Sequence, residues 1–263
     1  MGTSGAYGGS GGRDGKAVRD AVAGHLDTIP GSGGPGSADG RPTLDPNDLR
    51  RIINLIRPRS TGGAGGDGPG GGGGRAGSRG GGTGGRTGGG PQRSAAASAR
   101  SAGRAAAAAY AYRTGDAATL ARLGLDYGAL QALGDDFEVL RRIVDMACGV
   151  SDSTIEDHEQ RRVAANVGDW ILEQEADGYV PTPEEIVRRS ISEIIAETLL
   201  VETGDLINQN AMADVAEQDI RDAAEALAAQ ANLSVGGATE DEISRAVEAG
   251  LETIRAIVGG GSR

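Results

Sequence analysis

The chain has 263 residues, 47 of them glycine, with 26 Lys+Arg against 37 Asp+Glu and only 3% aromatics. Glycine at about 18%, against roughly 7% in average usage, argues against one compact core over the whole length, because glycine adds no side chain to bury. A single cysteine, Cys148, excludes a disulfide scaffold and points to a reducing compartment. No apolar run approaches the roughly 20 residues of a membrane span, and Met1–Gly12 lacks a hydrophobic signal segment, so a cytoplasmic protein without membrane partners is expected.

Charge divides the chain. Residues 1–115 hold 34 glycines and a net charge of +8, whereas residues 116–263 carry −19. This asymmetry predicts a basic, largely disordered Gly-rich tail ahead of an acidic all-α bundle. The boundaries read as a flexible Gly/Ser-rich tail over 1–42, an amphipathic helix over 43–58, a Gly/Arg-rich linker over 59–93 and a helical domain over 94–263. Within the tail, 14–26 is a weak helix with Ala17, Val18, Ala21 and Val22 on one face, closed early by Gly24. Over 43–58, Asp45 caps, Pro46 suits the first helical position, and Leu49, Ile52, Ile53 and Ile56 recur at i, i+3, i+4 and i+7. That apolar face can dock on its own helical domain or lie in a groove of another protein. Residues 62–90 contain 19 glycines and read as a tether.

After Pro91 the pattern is helical. Ser94 caps an alanine-rich helix that ends near Gly115. Asp135 and Asp136 open a helix through Cys148 with Phe137, Leu140, Ile143, Val144 and Ala147 inward. Ser153-Thr-Ile-Glu156 reads as a capping box for a helix to about Gln174, with Val163, Val167, Trp170 and Ile171 inward. Pro183-Glu-Glu opens a helix to about Thr203 with the stripe Val187, Ile191, Ile194, Ile195 and Leu199. Two more cover 205–232 and 240–258, the last capped by Thr239. A domain of about 165 residues of this kind can bury near 70% of its unfolded surface.

Catalytic constellations are scarce, so no enzyme, no cofactor and no metal is expected. His25 and His158 are the only histidines, and consecutive Asp157-His158-Glu159 on a helix point apart and cannot chelate together. Cys148 has no basic neighbour in sequence and reads as a small buried hydrophobe. Acidic groups at 135–136, 184–185 and 240–242 fall in first turns, where they complement the helix dipole. Gly15-Lys16 is followed by Ala17 and fails as a phosphate loop, and Gly68, Gly70 and Gly73 form GxGxxG by composition alone. Arg75, Arg79, Arg86 and Arg93 punctuate the Gly-rich run and are the candidate nucleic-acid contacts, the alternative function; no aromatic lies between Tyr7 and Tyr110 to stack on bases.

The opening Met1-Gly2-Thr3-Ser4-Gly5-Ala6-Tyr7-Gly8-Gly9 resembles that of the QatB family, a component of the bacterial Qat antiphage defence system. The Ala-rich run 94–112 and the Ser153-Thr-Ile-Glu-Asp157 helix are similar to later parts of that family. After Gly9, Ser-Gly-Gly-Arg-Asp stands where the family has a Pro-Leu-Val-Pro-type run. The resemblance implies a non-catalytic adaptor acting with an ATPase, a QueC-like enzyme and a TatD-like nuclease. It further implies that Gly2, exposed by removal of Met1, accepts a deazaguanine-type modification from the QueC-like partner. On this reading Thr3, Ser4 and Tyr7 are recognition positions, and Leu49, Ile52, Ile53 and Ile56 form the partner-docking face.

Overall fold

The structure, a computed structural model, describes residues 9–29, 43–58, 93–176, 178–233 and 235–260. Among these residues the fold is all-α, as expected; the one β-type pairing is an isolated bridge between Arg57 and Ser94. The helices are α1 (Arg13–Leu26), α2 (Pro46–Leu49) continued by a 3-10 helix (Arg50–Leu55), α3 (Ala95–Thr114), α4 (Ala117–Arg122), α5 (Tyr127–Gln131), α6 (Asp136–Cys148), α7 (Ile155–Ala176), α8 (Pro183–Ile207), α9 (Ala213–Ala228) and α10 (Glu240–Gly260).

The termini follow local chemistry. Ser94 accepts from the Ala97 amide, and Gly115 takes the left-handed conformation that closes α3. Thr182 and Glu185 form a reciprocal capping box at α8 with Pro183 at its first position. Thr239 and Glu242 do the same for α10. At α7 the cap sits one residue later than the sequence suggests. Ser153 adopts φ 63°, Asp152 accepts from the Thr154 amide, and Thr154 Oγ1 accepts from Asp157 N at 3.1 Å. The helix expected over 205–232 is divided: α8 runs on to Ile207, and Asn210 Oδ1 accepts from the Met212 amide at 2.9 Å, a local bond that competes with helix and turns the chain before α9.

Helix α8 is the axis of the molecule. It touches α1, the 3-10 helix, α3, α7, α9 and α10, and Val187 and every residue from Ser190 to Leu199 are buried, which covers the whole expected stripe. The alanine-rich α3 lies between α7 and α10. It runs in the same direction as α7, since Ser101 reaches Gln160 near their starts and Arg113 reaches the Leu172 carbonyl near their ends. On α6 the buried face is Val139, Ile143 and Ala147. Phe137, expected inward, is 69% exposed, because two helical positions from Val139 turn it about 200° around the axis.

The N-terminal half departs most from expectation. Residues 9–29, assigned by composition to the tail, belong to the body: Gly24 does not stop α1, and Val18, Val22, Leu26 and Ile29 are buried against it. The segment 43–58 also docks on its own domain. Asp45 caps and Pro46 opens it as expected, but only one α-turn forms before the chain tightens to 3-10 geometry. Leu49, Ile52, Ile53 and Ile56 are at most 1% exposed. They pack against α1, α8, α9 and α10, and Arg255 closes the end by donating to the Ile53 and Ile56 carbonyls. The partner-docking role assigned to these four side chains is therefore corrected, because their apolar face is consumed inside the fold.

The close approach of α3 and α10 depends on Gly103. A Cβ there would lie 2.2 Å from Ser244 Oγ, which can rotate, but also 3.0 Å from the Glu240 carbonyl and 3.1 Å from the Ser244 amide, which cannot. Alanine favours helix over glycine by about 1 kcal/mol, so an open site would be stabilised by the exchange. Here Gly103→Ala is expected to destabilise by about 1–3 kcal/mol through overpacking, read as a lower urea midpoint; an unchanged or higher midpoint contradicts the tight contact.

Candidate functional site

A helix buried on all sides would ordinarily be apolar, yet α8 carries Glu193, Glu197 and Glu202 into the interior, each no more than 2% exposed. Buried carboxylates persist only when opposing charge and hydrogen-bond donors reach them. Two networks do this.

In the first, Glu193 meets Arg189 one turn before it on α8 at 2.6 Å and Arg221 of α9 at 3.1 Å. Glu197 meets Arg162 of α7 at 3.1 Å and Arg221 at 3.4 Å. Asn166 donates to both carboxylates, at 2.7 and 3.2 Å. Burial pushes the Glu197 carboxyl above its ordinary range, with Arg162 and Arg221 opposing the rise. The network staples α7, α8 and α9, and Arg189 also stands 6.0 Å over the Trp170 ring.

The second network gathers distant parts of the chain around Glu202. Arg93, 3% exposed, donates from Nη1 to Glu202 Oε1 at 2.6 Å and from Nε to both oxygens of Glu159 at 2.8 and 2.9 Å. Ser10 donates its backbone amide to Glu202 Oε2 at 2.6 Å and its hydroxyl to Oε1 at 2.9 Å. Arg19 donates to the Glu202 carbonyl and grips Asp205 with two parallel bonds of 2.6 and 2.7 Å. That fork holds the Asp205 carboxyl below its usual range. Arg93 is fixed from its backbone as well. Its carbonyl accepts from Arg57 N, and the Arg57 carbonyl accepts from Ala95 N, both at 2.8 Å. Arg57 and Arg93 are thus held side by side, and Ser10 meets the same carboxylate as Arg93.

The sequence-derived candidates distribute as follows. Gly2, Thr3, Ser4, Tyr7, Arg75, Arg79 and Arg86 lie outside the described residues. Arg93 is corrected: it is buried between two carboxylates and has no face to offer a phosphate backbone. His158 is exposed, and Cys148 is partly buried with its thiol pushed up by burial, which fits neither a ligand set nor a nucleophile. The acidic groups at 135–136, 184–185 and 240–242 sit in the first turns of α6, α8 and α10 or cap them. Among the described residues, no group of three His, Cys, Asp or Glu could hold a metal ion, and no helix is long and apolar enough to cross a membrane.

Sequence reasoning missed the whole of the Glu202 network and a second buried pair, His25 Nε2 to Asp219 Oδ2 at 2.9 Å, which ties α1 to α9. The one available signal was the placement of Glu193 and Glu197 beside the Ile191–Leu199 stripe, where an acid must be paired. Nothing in the local pattern of Ser10 or Arg93 names Glu202.

Burial raises the Glu159 carboxyl from an ordinary 4.5 to about 7, the Arg93 guanidinium offsetting only part of the cost. The folded protein therefore keeps this proton over a range in which the unfolded chain has lost it. The resulting stabilisation is full below about pH 4.5 and is lost as pH rises through about 7. Glu159→Gln should flatten the pH dependence of unfolding between those limits by up to about 3 kcal/mol relative to wild type, measured by urea titration at each pH. Equal slopes in the two proteins would assign the titration elsewhere.

Comparison with known proteins gives no match: no protein-family model, no curated protein and no solved structure aligns significantly with the chain.

Proposed function

We propose that the protein is a non-catalytic component of a bacterial antiphage defence complex of the Qat type, serving as an adaptor and as a protein substrate whose N-terminal glycine, Gly2, is modified by a QueC-like partner. The observation that supports this reading is the anchorage of Ser10. The residue directly after the Met-Gly-Thr-Ser-Gly-Ala-Tyr-Gly-Gly motif is tied by amide and hydroxyl to a carboxylate with no solvent exposure. The motif is thereby rooted at a defined point on the body. The residues from Gly2 to Gly9 can span at most about 25 Å. A partner enzyme can thus take Gly2 into its site while α1 stays docked, with Thr3, Ser4 and Tyr7 in reach for recognition.

The adaptor role falls to the outer surface of the helical body, since the apolar face of 43–58 is used internally. An ATPase, the QueC-like enzyme and a TatD-like nuclease are the partners this reading requires. The strong acidity of residues 116–263 disfavours the nucleic-acid alternative, as does the loss of Arg93 from the available cations.

Intact-mass and N-terminal peptide mass spectrometry test the proposal directly, on protein expressed with and without its neighbouring genes. A mass increment on the peptide beginning at Gly2 is expected only when the QueC-like partner is present and catalytically intact. An unmodified Gly2 in a complete, phage-protective system overturns the acceptor role.

A further inference from the structure

We propose that a cleft between α7, α8 and α9 binds an apolar α-amino acid as its zwitterion, with Arg188 receiving the carboxylate and Glu225 the ammonium group. The cleft has a volume of about 250 Å³ and is walled by Trp170 of α7, by Glu185, Arg188, Arg189 and Ser192 of α8, and by Glu225 of α9. That is below the roughly 300–1,000 Å³ of pockets for drug-sized ligands, so the occupant is a small metabolite. The four α8 residues stand at i, i+3, i+4 and i+7 and share one face of the helix. Two cations and two carboxylates line the space, so it suits a ligand that has no net charge but carries both signs. A simple anion would also have to approach the net charge of −19 on residues 116–263.

The polar groups of the cleft divide into those already committed and those still open. Glu185 is committed: it accepts from the Tyr179 hydroxyl at 2.6 Å and from Thr182 within the α8 cap, bonds that hold its carboxyl below the usual range. Arg189 contacts Glu193 and lies over the Trp170 ring. Arg188 donates to Glu184 at 2.8 Å with one of the five N–H groups a guanidinium carries. The two arginine side chains are 38% and 34% exposed and the Nε of each is without an acceptor, so their donors are not spent. Ser192 is 5% exposed and its hydroxyl makes no hydrogen bond among the described residues. Ser190, Thr198 and Thr203 of the same helix instead donate theirs to a carbonyl one turn back. Glu225 is exposed, and its carboxylate has no partner among the described residues. Open donors on α8 and an open carboxylate on α9 thus border one cleft beside an indole. A ligand carboxylate satisfies Arg188 and Ser192, its ammonium group satisfies Glu225, and its apolar side chain lies on Trp170 and the arginine stems.

Trp170 is the only tryptophan of the chain, so its selectively excited fluorescence reports on the cleft in the full-length protein. L-Leucine should change the emission saturably, with half-saturation at about 1 mM or below. Leucinamide, which lacks the carboxylate, and 4-methylpentanoate, which lacks the ammonium group, should each bind roughly tenfold more weakly. Arg188→Gln should weaken leucine binding at least fivefold and leave leucinamide unchanged. Glu225→Gln should weaken leucine to the same extent and leave 4-methylpentanoate unchanged. Both side chains lie at the surface, where such exchanges leave the fold standing. A response that does not saturate, an analogue that binds as tightly as leucine, or variants that bind leucine as the wild type does would each overturn the proposal. The cleft is remote in sequence from Gly2 and the titration needs no partner protein, so its outcome is separate from whether Gly2 is modified.

Discussion

The interior carboxylates of α8 are the constraint on which the structure depends. Glu193, Glu197 and Glu202 lie on a helix buried around its whole girth, and desolvation of each costs several kcal/mol before any pairing. The fold is arranged to meet that cost. Arginines arrive from α7, from α8 itself, from α9 and from Arg93, two residues before α3, so that several of the elements packed on α8 also carry its counter-charges. Apolar packing could hold these helices together less specifically; charge pairing at fixed points sets which residue of each must face which residue of α8. Cutting a single arginine from such a network leaves an uncompensated charge, typically a loss of 3–5 kcal/mol.

The same constraint explains why the glycine-rich half is not simply a tail. Two short apolar segments, α1 and the 46–55 element, would be marginal alone, since isolated helices under about 12–15 residues are barely stable in water. Docked on α8, α9 and α10, they bury Val18, Val22, Leu26, Leu49, Ile52, Ile53 and Ile56. The ionic contacts of Ser10, Arg19 and Arg93 then fix where they sit. Arg57 and the residues from Arg93 to Ala95, which flank the low-complexity stretch, are paired by backbone hydrogen bonds, so the 46–55 element is joined directly to the start of α3.

Much of the helical architecture was legible, because its signals are local. Ser94 and Gly115 bound α3, the Thr182–Glu185 box opens α8, and the Val187–Leu199 stripe is buried as its spacing implies. The errors came where a neighbour decided the outcome. Phe137 satisfies an apolar stripe but faces solvent, since α6 is rotated to seat Val139, Ile143 and Ala147. Leu49–Ile56 has an α-helical spacing but tightens to 3-10 geometry between α1 and α10. Ser153 looks like a cap, yet Asp152 and Thr154 take the work, leaving Ser153 in the left-handed region. The Glu202 hub was invisible, because its members are separated by 109 and 192 positions in the chain.

Composition and periodicity by themselves determined an acidic all-α body, the caps of most of its helices and a glycine-rich basic stretch ahead of it. These follow from interactions within one or two turns, which a linear pattern records. Tertiary structure alone decided that α1 and the 46–55 segment belong to that body, that Arg93 is a buried counter-ion rather than a surface cation, and that Ser10 is anchored where Arg93 arrives. Those outcomes turn on which desolvated charge meets which partner. That pairing is a property of three-dimensional proximity, and residues far apart in sequence carry no local mark of it.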